Sequence, residues 1–115
     1  MKEKKDTINI LWTSSDLITV DKMIFMYALN SKKKVWWDEV NIIIWGGSSK
    51  LIAEDENIQK KIKDLIRSGI HFFACKACAD QLGVTEILEK NGIEVKYVGE
   101  TLTNILKSDE KLMTI

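Results

Sequence analysis

Short apolar runs alternate along this chain with stretches whose apolar residues recur every three or four positions. The first run, Thr7 to Trp12, is rich in isoleucine and closes on the polar turn Thr13-Ser14-Ser15-Asp16, which predicts a strand. From about Thr19, Val20, Met23, Ile24, Tyr27 and Ala28 fall at helical spacing. Asp16 or Thr19 is placed to cap that helix by accepting a bond from a free backbone N–H. From Val40, past Asn41, to Trp45 the chain is apolar, as a strand buried on both faces should be, and Gly46-Gly47-Ser48-Ser49 ends it as a turn. Ile58, Ile62, Leu65 and Ile66 predict a second amphipathic helix, stopped near Gly69.

Ile70 to Ala74 predicts the third strand, and Cys75 to Leu82 a short helix opening at the cysteines and interrupted by Gly83. Thr85 to Asn91 makes another short helix, with Gly92 where a left-handed backbone ends it. Ile93, Val95 and Tyr97 alternate with Glu94 and Lys96, the mark of a fourth strand with one wet face at a sheet edge. Leu102, Ile105 and Leu106 mark a last helix, and Lys111 to Ile115 a terminal strand. Five strands separated by helices predict a three-layer α/β/α sandwich on a parallel sheet. No repeat or linker interrupts the pattern, so residues 1–115 read as one domain. Met23 and Tyr97 read as core.

Composition narrows the function. Hydrophobic residues make up 45% and charged residues 30%, an ordinary globular balance. Seventeen Lys and Arg offset 17 Asp and Glu, so the chain lacks the basic excess of a nucleic-acid binder. The lysines at Lys2, Lys4 and Lys5 and at Lys32 to Lys34 read as solvated surface. No apolar run is long enough for a membrane span, and no apolar stretch follows the charged Met1-to-Asp6 segment as a signal peptide would require. A cytoplasmic protein is expected, with its two cysteines as thiols rather than a structural disulfide.

Those thiols, Cys75 and Cys78, are the residues equipped for chemistry. In open parallel sheets reactive groups gather at the carboxyl ends of the strands, where Cys75 is predicted to sit. Cys78, three residues on, falls on the same face of the following helix. Free N–H groups and the positive end of a helix dipole favour the nucleophilic thiolate, and Lys76 adds a neighbouring cation. The plain alternative is that both cysteines fill the core as small hydrophobes. A thioredoxin-like fold sets a cis-proline opposite its active site, and this chain has no proline. Two cysteines and one histidine are too few for a closed zinc site of about four ligands. His71, within the third strand, reads as a packed strand residue. The glycine-serine turn matches neither a Walker loop nor a dinucleotide fingerprint. No metal or cofactor is called for.

The segment Ala74-Cys-Lys-Ala-Cys-Ala-Asp-Gln-Leu-Gly-Val84 resembles the DsrE-like family, which includes the DsrE/DsrF and TusD sulfur-relay proteins. Relay members carry a cysteine after the third strand, eight residues before a Gly-Val, and Cys75 stands eight residues before Gly83. The resemblance extends through Gly92-Ile-Glu-Val-Lys-Tyr-Val-Gly99 and Leu112-Met-Thr-Ile115. It implies the strand order 4-3-2-1-5, with three crossovers on one face of the sheet and only the last helix on the other. It also implies a homo-oligomer, trimer or hexamer, because part of the sheet stays uncovered. Trp36 and Trp37 fit either such an interface or a staple over the helix end. By the same resemblance Cys75 would carry sulfur as a persulfide between donor and acceptor proteins, with Cys78 an extra thiol able to discharge it. A dithiol/disulfide redox protein and a non-catalytic binding module fit the same residues.

Overall fold

The structure, a computed structural model, describes residues 6–115; the cluster Lys2, Lys4 and Lys5 and most of the leader reading lie outside the described residues. Strands β1 (Thr7–Trp12), β2 (Glu39–Ile44), β3 (His71–Cys75), β4 (Glu94–Lys96) and β5 (Lys111–Thr114) form a parallel sheet in the order β4-β3-β2-β1-β5. This is the expected order. Register pairs Ile8, Ile10 and Trp12 with Val40, Ile42 and Ile44 on one face, where the larger core lies. Burying each such side chain contributes about 1.5–3 kcal/mol. Leu11, Ile43, Phe73 and Cys75 point to the other face and a smaller cluster.

The first helical run consists of α1 (Leu17–Thr19), a π-helical segment (Val20–Phe25) and α2 (Met26–Lys33). Asp16 caps it, its carboxylate accepting from the Thr19 backbone N–H at 2.9 Å and the Thr19 hydroxyl at 2.7 Å. Those two bonds hold the Asp16 carboxyl below its usual range. Val20, Ile24 and Ala28 are buried as expected, but Met23 is 47% exposed. The wider π turn rotates residue 23 away from the sheet and brings Phe25 onto it instead.

The glycine-serine segment is not the turn that the sequence predicts. Only Gly46 turns; Gly47 to Ser49 open an additional helix, α3 (Gly47–Glu54). Ser48 makes this possible: its hydroxyl lies 2.6 Å from the Trp12 carbonyl and 3.0 Å from that of Trp45, sharing its one hydrogen between them, which ties the first turn of α3 to two strand ends. Asp55 leaves helical geometry and caps α4 (Glu56–Arg67) by accepting from the Ile58 N–H. Next come α5 (Lys76–Leu82), α6 (Thr85–Lys90) and α7 (Val98–Lys107). Tyr97 is a further correction: β4 stops at Lys96, and Tyr97 is the residue preceding α7, 66% exposed rather than core.

The first helical run and α3 to α6 all bury side chains in the larger core. Among the described residues, the helix that covers the opposite face is α7, through Val98 and Ile105. That face is left partly open, with His71 exposed and Asn41 and Phe73 half-buried.

Candidate functional site

The apolar sequence of β3 runs straight into α5, and the junction falls on Cys75. Cys75 is the last strand residue and also the N-cap of α5, with extended backbone angles (φ −69°, ψ 117°). Cys78 lies in the first turn of α5. Both cysteines are free thiols. Cys75 is 5% exposed and packs with Ile43, Val98 and Ile105, while Cys78 is half-buried at the edge of the same cluster. The Cys78 Sγ lies 3.9 Å from the Gly46 carbonyl oxygen, a long, weak S–H contact to the loop that closes β2. The two thiols that the sequence singles out are thus brought to one apolar cluster at the carboxyl end of β3.

Other candidates sit differently. Lys76 does not stand as a lone cation beside the thiols: its ammonium donates to Asp80 at 2.9 Å, one turn further along α5. The Thr85 hydroxyl also donates to Asp80. These two bonds, Thr85 foremost, hold the Asp80 carboxyl below its usual range, and Asp80 in turn holds Lys76 above its own. The effect is a latch between α5 and α6. His71, read as a packed strand residue, is exposed on the open sheet face, its ring stacked on Phe73 at 6.5 Å between centroids. Phe73 separates it from Cys75 along the strand.

The sequence reading missed a polar chain across this face. Asn41 donates to the Asn9 side-chain oxygen at 3.0 Å, and Asn9 donates to Glu110 at 2.9 Å and to the Lys111 carbonyl at 3.2 Å. The signal was an asparagine at an inward position in each of two isoleucine-rich strands. The chain lines a cavity shared with Phe73, Thr101 and Asn104, over which the Lys96 ammonium sits 4.1 Å from the Phe73 ring centroid. Among the described residues, no group of three or more His, Cys, Asp or Glu side chains is placed to hold a metal ion.

This arrangement has known relatives. A conserved protein of unknown function from Bacteroides thetaiotaomicron is 45% identical, with a TM-score of 0.94 over 96% of this chain and 95% of that one. The YchN protein of E. coli is 15% identical and shares the fold, with a TM-score of 0.69 over 97% of this chain and 100% of its own. No curated protein matches. The DsrE/DsrF-like family model matches residues 23–115, which include the whole cysteine segment. The chain belongs to the DsrE/DsrF-like family.

Proposed function

We propose that this chain is a cysteine-centred sulfur carrier, in which Cys75 and Cys78 accept sulfur as a persulfide from a donor protein and yield it to an acceptor. The observation that carries this reading is the pair of free thiols, three residues apart, in one apolar cluster at a strand's carboxyl end. An apolar surround suits a persulfide, because it keeps the labile outer sulfur away from thiols in bulk solution. A cytoplasmic setting, where thiols stay reduced, suits it as well.

A second function fits the same spacing. The N-cap residue and the third residue of a helix lie on one side of its first turn, a spacing that favours a Cys75–Cys78 disulfide acting as a redox switch. In neither case is a cofactor or metal invoked. Homo-oligomerisation accompanies both, since α7 covers only part of its face of the sheet.

Uptake separates the two functions. After anaerobic incubation with glutathione persulfide and removal of the excess, the wild type should gain the mass of one sulfur atom, and a Cys75→Ala/Cys78→Ser double variant none. A wild type that gains no sulfur, yet loses two hydrogens on oxidation with diamide, is the redox switch instead.

A further inference from the structure

We propose that Cys78, rather than Cys75, is the thiol that meets the sulfur donor, and that Cys75 is the inner thiol to which the sulfur then passes. This rests on the carrier function above and assigns its two thiols an order. Family resemblance gives Cys75 the sulfur-carrying position, but burial decides which thiol is reached first. Cys75 is 5% exposed, enclosed by Ile43, Val98 and Ile105. Reaction at a cysteine needs access as well as a nucleophilic sulfur. Cys78 has that access. It is only half-buried, and its Sγ lies 3.9 Å from the carbonyl of Gly46.

Gly46 presents its backbone carbonyl to the outer thiol. It holds φ 70° and ψ −135°, and a Cβ built there would meet nothing within 4 Å. Loop backbone thus borders the outer thiol, while Val98 and Ile105 of α7 shield the inner one. The Lys76–Asp80 ion pair and the Thr85–Asp80 hydrogen bond hold α5, and Cys78 with it, against α6.

The chemistry balances without an added oxidant. The Cys78 thiolate attacks the outer sulfur of a donor persulfide, R–S–SH. The donor's S–S bond breaks, R–S⁻ leaves with the electron pair, and Cys78–S–SH forms. The Cys75 thiolate then attacks that same outer sulfur, Cys78 leaves as the thiolate, and Cys75–S–SH forms. Neither transfer changes the net oxidation state, because the sulfane sulfur only changes its partner. Attack on the inner sulfur of Cys78–S–SH would instead release HS⁻ and leave a Cys75–Cys78 disulfide. That is a two-electron oxidation of the pair matched by reduction of the departing sulfur.

Order of loading is the test. Wild-type protein is pulsed anaerobically with glutathione persulfide, quenched at intervals with an alkylating reagent and digested with trypsin. Cleavage after Lys76 places Cys75 and Cys78 on separate peptides. The added sulfur should appear first on the Cys78 peptide and later on the Cys75 peptide. Cys78→Ser should load more slowly by about tenfold or more, the factor equivalent to about 1.4 kcal/mol of added barrier. Cys75→Ala should still load and should retain the sulfur on Cys78, with none passed inward. If Cys75→Ala fails to fold, the wild-type time course decides alone. Sulfur appearing first on the Cys75 peptide, or Cys78→Ser loading at the wild-type rate, overturns the proposed order and leaves the carrier function standing. A wild type that takes up no sulfur overturns both.

Discussion

Val35 occupies a backbone conformation that helix ends usually give to glycine. The Trp36 N–H donates to the Ser31 carbonyl at 2.9 Å and the Val35 N–H to that of Lys32 at 3.3 Å, the paired bonds of a Schellman motif. Val35 is its left-handed residue, at φ 53°, and is 71% exposed, so little burial offsets the strain. A left-handed conformation costs a non-glycine residue about 1–2 kcal/mol, against about 0.5–1 kcal/mol of extra entropy that glycine loses on folding. Val35→Gly should therefore stabilise the protein by about 0.5–1 kcal/mol in a denaturant titration, and a loss of stability would contradict this account of the turn. The sequence offers no warning of it, because a valine beside lysines is an ordinary surface residue. The neighbouring tryptophans were legible as a pair but not individually. Trp37 is the staple, its indole N–H donating to the Tyr27 hydroxyl at 2.9 Å, while Trp36 lies exposed with the Lys34 ammonium 5.5 Å from its ring centroid.

Among the described helices, α7 is set apart by the face of the sheet it covers. Its buried residues Val98 and Ile105 cover the cysteine face. Ile105→Ala should destabilise the fold by about 2–5 kcal/mol, the range for truncating a buried aliphatic side chain. It should also speed alkylation of Cys75 under native conditions by opening the cluster around it. An unchanged Cys75 rate in a destabilised variant would mean that α7 does not guard the thiol. The strands were legible because Ile and Val runs bounded by polar turns have few other readings, and α4 because Ile58, Ile62 and Leu65 keep helical phase. Helix α3 was not legible. Its first turn is glycine and serine, and what holds it there is the Ser48 hydroxyl on the carbonyl of Trp12, 36 positions away at the end of β1. The π turn escaped for a similar reason, since no local residue signals the extra width that carries Met23 outward.

At the scale of the molecule, among the described residues, one face of the sheet is covered by most of the helices and the other by α7. Half-buried Phe73 and exposed His71 on that second face give it a reason to associate. Light scattering at micromolar concentration should report a trimer or a dimer of trimers, and a clean monomer at 13.2 kDa would contradict this. The cysteine pair was legible because its spacing and its place after a strand are local. The Asn9–Glu110 contact joins residues 101 positions apart, so it emerges only once β5 is paired beside β1. Carriage of sulfur, the central claim, requires that sulfur both enter and leave. The most direct measurement loads the protein with isotopically labelled persulfide sulfur, removes the donor, adds a reduced thiol acceptor and follows the label anaerobically. The label should leave this chain and appear as a persulfide on the acceptor, with Cys75 and Cys78 recovered as thiols. Label released only as sulfide, with a Cys75–Cys78 disulfide left behind, or label never taken up, would contradict it.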